Sequence, residues 1–163
     1  MAKNKEEKTN VMRVLEQKKI AYTAHTYPHE EGVAVDGVTV AQSMGFDPAA
    51  VFKTLVARGA SKQYYVFDVP VAENLDLKKA AKAVGEKSIE MLHQKELLPL
   101  TGYVHGGCSP VGMKKLFPTV IDASAENLET MIVSAGKIGY QVELSPRDLA
   151  ALVRAKFADL IAE

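Results

Sequence analysis

The sequence predicts a mixed α/β fold in a single domain over residues 1–163, with helices packed around a largely antiparallel sheet. Three observations carry this expectation. The length, 163 residues with 47% hydrophobic and 25% charged content, suits one domain with a full hydrophobic core. The runs VFKTLVAR (51–58) and QYYVFDVP (63–70) are rich in β-branched and aromatic residues and are separated only by GASK, the pattern of an antiparallel hairpin. The remaining strand candidates are linked by short helices and turns, with no glycine-rich turn leading from a strand into a long helix. A dinucleotide-binding fold is thereby excluded.

In chain order, Val11, Val14, Leu15 and Lys18 recur at helical spacing behind a Thr9 or Asn10 cap. IAYTAHT (20–26) reads as a strand ended by Pro28, and VTVAQSMG as a short helix closed by Gly45. After the hairpin, LDLKKAAKAVG (75–85) is a helix with Asp76 at its start, where a carboxylate favours the N-terminus, and Gly85 past its end. SIEML (88–92) is a strand candidate, and HQKELLP is expected to form a short helix stopped by Pro99. GYVH (102–105) reads as a strand entering the loop GGCSPVG, and PTVIDA, TMIVSA and IGYQVEL are further strands. Ser145-Pro146 begins the last helix, with Leu149, Leu152, Val153 and Phe157 expected on one face.

Charge and cysteine content bound the function. Twenty basic residues balance twenty acidic ones, so binding nucleic acid by bulk charge is excluded. The charges are nevertheless segregated: residues 1–20 carry +3, 21–77 carry −4 and 78–95 carry +3. Local patches matter because charges are screened beyond about 8 Å at physiological salt. One cysteine forms no internal disulfide, no apolar run approaches a membrane span, and MAKNKEEKTN lacks the apolar stretch of a secretory leader. A cytoplasmic protein with no membrane partner is expected.

Lys53 is the first candidate site residue. It shares a strand face with Val51, Leu55 and Ala57, where an ammonium is expensive to desolvate without a partner, while Thr54 faces the other way. The competing reading is an edge lysine reaching to water. The loop 106–115, GGCSPVGMKK, is the second candidate, since its glycines allow a tight turn whose N–H groups could cradle an anion or an oxyanion. It is not a P-loop, because Met113 stands where that motif needs lysine. Cys108, three residues after His105, is expected to be an inert filler and not a nucleophile, for want of a base and an electropositive setting. His25, His29, Glu30 and Glu31 read as a surface turn, so no metal is expected, and Ser134 does not occupy a nucleophile elbow.

Taken together, FKTL (52–55), LDLKKAAKAVG (75–85), TGYVHGGCSPVGMKK (101–115) and SAGKIGYQVEL (134–144) resemble the YbaK family of free-standing bacterial deacylases. Those proteins hydrolyse Cys-tRNA(Pro) and share a fold with the editing domain of prolyl-tRNA synthetases. The resemblance covers nearly the whole chain. It implies a barrel-like, largely antiparallel sheet surrounded by helices and an aminoacyl-ester hydrolase without cofactor or metal. By residue type and position it implies an essential role for Lys53, followed by Thr54. It further implies a carbonyl-binding loop from Gly106 through Gly107, Cys108 and Ser109 to Pro110, and substrate contacts from Tyr27 and Ser134. The substrate's own thiol would attack the ester, with the tRNA(Pro) acceptor end bound and prolyl-tRNA synthetase a candidate partner.

Asp36 and Ile138 depart from the family, which often has an aromatic residue and an arginine there, and Cys108 replaces a plain apolar residue. Three alternatives stand beside this reading: an Ala-tRNA(Pro) deacylase, a non-catalytic tRNA or synthetase binding module, and a thiol hydrolase using Cys108. The basic segments 1–20 and 78–95, with Lys114, Lys115 and Lys137, are expected to border the pocket.

Overall fold

The computed structural model describes residues 8–30 and 33–163. Helix α1 (Asn10–Gln17) begins where the Thr9 side chain accepts the Met12 N–H and buries Val11, Met12 and Leu15. Strand β1 (Thr23–Thr26) leads to α2 (Gly37–Met44), which Asp36 caps by accepting from the Thr39 N–H. The expected hairpin forms as β2 (Phe52–Gly59) and β3 (Tyr64–Pro70), and α3 (Leu77–Val84) follows with both Lys78 and Lys79 N–H groups on the Asp76 carboxylate. Then come β4 (Ile89–Met91), α4 (Gln94–Thr101), β5 (Thr119–Asp122), β6 (Met131–Ser134), β7 (Tyr140–Leu144), α5 (Pro146–Val153) and β8 (Lys156–Ala158).

The strands form two sheets, β1-β7-β6 and β4-β2-β3-β5-β8. Four of the six strand pairings are antiparallel; β3–β5 and β5–β8 are parallel. The sheets meet at a bridge between Val51 and Ile132 and do not close into a complete barrel. The larger core joins them: Val11 and Leu15 of α1, Phe52 and Val56 of β2, Met131 of β6, Val142 of β7 and Leu149 of α5 pack together. On the other face of β2 and β3, Ala57, Phe67 and Val69 pack against Ala80 and Ala81 of α3. β2 is thus buried on both faces, as its run of apolar residues anticipates.

Three expectations are corrected. Residues 102–105 form no strand: Gly102 takes a left-handed conformation (φ 88°) that ends α4, and Tyr103 instead sends its hydroxyl to the Val111 carbonyl. Pro99 does not stop α4, which runs to Thr101; proline forfeits only the one bond to a carbonyl in the helix's first turn. The last helix ends at Val153, where Arg154 adopts φ 58°, so Phe157 lies on β8 beside β5.

Candidate active site

Strand alternation places the site. The Val71 N–H donates to the Val51 carbonyl, which makes 51/71 a hydrogen-bonded pair. Counting along the register, Lys53 and Leu55 then also point their backbone groups at β3, whereas Phe52 and Thr54 point theirs outward. On that outer side β4 covers β2 only from Ala57 to Gly59. The uncovered stretch, residues 52–55, forms one wall of a cavity of about 460 Å³ at the junction of the two sheets. Lys53 and Thr54 border it from opposite faces of the strand because the cavity wraps the strand's free edge.

The other walls come from distant elements. Ala34, Asp36 and Val40 approach from α2 and the segment before it, Tyr27 from the end of β1, Ser134 and Tyr140 from the β6–β7 pair, and Gly106 and Cys108 from the glycine loop. Of the residues singled out in the sequence, Lys53, Thr54, Tyr27, Gly106, Cys108 and Ser134 meet here. Gly107, Ser109 and Pro110 do not line the cavity; they are buried behind it. The Gly107 N–H already donates to the Val104 carbonyl, and the Ser109 hydroxyl accepts from the Val111 N–H. The Gly106 and Cys108 N–H groups have no partner among the described residues.

The first two glycines of the loop are dictated by space. Gly106 has φ 89°, and a Cβ there would stand 2.7 Å from the Cβ of Ala34. A Cβ on Gly107 would meet the Ile138 nitrogen at 3.0 Å and the Lys137 carbonyl carbon at 3.2 Å. Gly106→Ala is therefore expected to destabilise the fold by about 1–3 kcal/mol, from backbone strain alone. It should also displace the Ala34 wall; thermal denaturation and any turnover assay should both register the change, and an unaltered protein would contradict the packing.

Electrostatics distinguish the lining groups. Burial holds the Lys53 ammonium below its usual pKa, while Asp36 and Glu73 pull it back up. The Cys108 thiol is buried, and burial together with the charge of Asp68 pushes its pKa up to about 12, so it is no thiolate near neutrality. The Ser134 hydroxyl accepts the Gly136 N–H at 3.1 Å. The residues that depart from the family pattern are also placed: Asp36 caps α2 and lines the cavity, and Ile138 is buried behind Gly106.

The basic segment 78–95 does not border the cavity. Lys79 is tied to Asp159 at 3.0 Å beside β8, and Lys95 lines a separate groove with Tyr64 and Leu100. Neither Lys114 nor Lys115 lines the cavity, while Lys137 lies over the ring of Tyr140, which does. Residues 1–7 of the first basic segment lie outside the described residues. Of the two histidines near the acidic turn, His25 lies on β1 and pairs with Glu143 at 2.9 Å, and His29 bonds the Tyr27 carbonyl. No helix among the described residues is long and apolar enough to cross a membrane.

Sequence reasoning missed the apolar wall of Val40, Val51 and Val71, which has no signature beyond hydrophobicity, and it missed Asp68. Asp68 is wholly buried on β3, and the Thr54 hydroxyl donates to its Oδ1 at 2.5 Å. A carboxylate inside QYYVFDVP is a signal that could have been read, since charged residues are rare in buried strands.

Residues 32–152 match the model of the aminoacyl-tRNA editing domain. The chain is 45% identical, over 98% of its own length and 98% of the relative's, to EbsC of Enterococcus faecalis (strain ATCC 700802 / V583), a candidate Cys-tRNA(Pro)/Cys-tRNA(Cys) deacylase. Among solved structures it is similar to a candidate trans-editing enzyme for prolyl tRNA synthetase, at 26% identity and TM-score 0.79 over 94% of this chain and 95% of that one. The hypothetical protein APE2540 shares the fold, at 20% identity and TM-score 0.82 over 93% of this chain and 99% of that one. This chain belongs to the aminoacyl-tRNA editing domain family.

Proposed function

We propose that the protein is a trans-editing hydrolase that clears cysteine from mischarged Cys-tRNA(Pro) by a substrate-assisted route. The observation that carries this reading is the composition of the cavity. Lys53, Thr54, Gly106 and Ser134 converge there, while the one lining thiol, Cys108, is held protonated. Such a site lacks an activated cysteine nucleophile of its own but can hold an ester in place. Lys53 anchors the 3′-terminal nucleotide through its phosphate or ribose, as a compact cation on a flexible stem. The Gly106 side of the loop grips the aminoacyl carbonyl, where oxyanion charge develops.

The substrate's thiol sulfur attacks that carbonyl, forming the C–S bond as the ester C–O bond breaks. The tRNA leaves with its hydroxyl restored by the proton the thiol gives up, and the cyclic thiolactone is later opened by water. Thiol and ester belong to one aminoacyl group, so the site contributes by holding them in a near-attack geometry and not by bringing two molecules together.

The deciding assay is deacylation of Cys-tRNA(Pro), Cys-tRNA(Cys) and Ala-tRNA(Pro), with and without prolyl-tRNA synthetase. Turnover of the cysteinyl esters with Ala-tRNA(Pro) spared is expected, because alanine has no thiol. Rapid loss of Ala-tRNA(Pro) would overturn the substrate-assisted route, and intact Cys-tRNA(Pro) under excess protein would leave only a binding module. The synthetase, as the partner that binds tRNA(Pro), should sharpen the choice between Cys-tRNA(Pro) and Cys-tRNA(Cys). Cys108→Ser, in turn, is expected to retain deacylation within about threefold, under ~0.7 kcal/mol of transition-state binding. Abolished turnover in that variant would restore Cys108 as a nucleophile.

A further inference from the structure

Asp68 has no part in the scheme above, yet among the described residues it is the one carboxylate with no exposed surface that also contacts a lining residue of the cavity. Its position follows from the hairpin. Thr54 and Asp68 are directly opposed across β2 and β3, and by the alternation described above they form a pair without backbone hydrogen bonds between them. Side chains approach most closely at such pairs. The Thr54 hydroxyl uses this approach to donate to Oδ1 at 2.5 Å, while Oδ2 has no hydrogen-bond partner among the described residues.

Burying a carboxylate with half its acceptors unsatisfied is expensive, and an aliphatic residue would fill the same place on β3 without that penalty. The groups facing it are few. Thr54 reaches it from β2 and Cys108 from the glycine loop, and its register partner on β5 is the aliphatic Ile121. The distinctive consequence of the carboxylate lies in what it does to Thr54. A hydroxyl has one hydrogen and two lone pairs. When the hydrogen is committed to Asp68, the oxygen can offer the cavity only lone pairs.

We propose that Asp68 is a positioning residue for deacylation: it fixes the Thr54 hydroxyl as an acceptor facing the cavity, where that oxygen receives the S–H of the attacking substrate thiol. The role rests on the cysteinyl-ester reading given above. As the sulfur bonds to the carbonyl carbon, its proton passes to Thr54 Oγ1 and the Thr54 proton to Asp68. Thr54 then gives its hydroxyl proton to the departing ribose oxygen and takes one back from Asp68, so both groups return to their starting state and nothing is consumed. An acyl group without a side-chain donor gains nothing from this acceptor, which makes the pair a selector as well as an aid.

Burial raises the Asp68 pKa to about 7, against a smaller opposing effect of the Thr54 hydrogen bond. Below that pH the protonated acid has no need of the Thr54 hydrogen, and the acceptor is lost. The test is single-turnover deacylation of Cys-tRNA(Pro) from pH 5.5 to 8.5 by wild type, T54V, D68V, D68N and the T54V/D68V double variant, with folding followed by thermal denaturation. Wild type should show a step rising through about pH 7 that D68N, acting on the same substrate thiol, does not share.

T54V and D68V should each lose at least about tenfold at pH 8, D68V while melting no lower than wild type, and the double variant should lose no more than either alone, because the two act as a unit. D68N, which keeps the shape of the site, should lose the step near pH 7. Losses that multiply in the double variant, D68V within threefold of wild type, or a step that persists in D68N would each overturn the role while leaving the deacylase reading intact. A wild type that leaves Cys-tRNA(Pro) whole would overturn the reading, and the role with it.

Discussion

Lys53→Ala should lower single-turnover deacylation of Cys-tRNA(Pro) at least ~30-fold, with folding preserved. The expectation follows from where the ammonium stands. Lys53 lies in the uncovered stretch of β2, is half-buried, and is the only lysine or arginine lining the cavity among the described residues. Burial works against its charge, and the nearby carboxylates of Asp36 and Glu73 sustain it. A cation held in this way is partly stripped of water before substrate arrives, so a phosphate or ribose oxygen meets a donor that needs little further desolvation. Truncating one partner of such a charge-assisted contact costs about 2–5 kcal/mol, and the low end of that range is already some 30-fold in rate.

Stability should move the other way or not at all, since the variant removes an ammonium from a strand face shared with Leu55 and Ala57. Lys53→Arg tests geometry separately: the charge survives, but the planar fork does not fit where a point donor did, and activity should remain well below wild type. A Lys53→Ala protein within about threefold of wild type, under ~0.7 kcal/mol, would remove the lysine from the site's chemistry.

What could be read from the sequence was local. The hairpin was legible because its two runs carry β-propensity throughout and are separated by four residues. α3 was legible because its caps are written in Asp76 and Gly85. Lys53, Gly106 and Ser134 were legible as members of motifs, though their meeting in one cavity depends on a seam between two sheets, made by the bridge from Val51 to Ile132, that no local pattern announces. β8 escaped because three residues after a left-handed Arg154 continue an apolar spacing that looks helical.

The charge argument failed for a related reason. Lys78, Lys79, Lys82 and Lys87 are consecutive basic positions on the chain, but the apolar stripe of Ala80 and Ala81 decides which way α3 faces. That stripe packs under β2 and β3 and leaves Lys79 to Asp159 and Glu163 near the C-terminus. Charge clusters in sequence follow the helix; the helix follows its buried face.

Asp68→Val should raise the thermal stability of the protein at pH 8 by several degrees and raise it by less than half as much at pH 5. The sign follows from linkage. The folded state lifts the Asp68 pKa from 3.8 to about 7, and burial is the main cause. Between those values the folded chain holds a proton that the unfolded chain has released, so stability falls as pH rises through this window. Above it the full penalty is present: roughly three pKa units at 1.36 kcal/mol each, of the order of 4 kcal/mol. At pH 5 most of that penalty is absent, because the folded protein keeps the acid neutral.

Valine removes the titrating group and its orphaned Oδ2, and its branched side chain suits a buried strand between Phe67 and Val69. For a domain of this size 1 kcal/mol corresponds to about 2–4 °C, so even half the penalty is measurable. The comparison of wild type and variant across pH also separates burial from site chemistry. If Asp68 were a structural pin, its loss would lower the melting temperature at both pH values. If it is retained for what it does to Thr54, the variant becomes more stable at pH 8 in the same range where deacylation is lost. Wild-type stability that is flat between pH 5 and 8, with a variant that melts lower throughout, would refute the raised pKa and the cost assigned to this carboxylate.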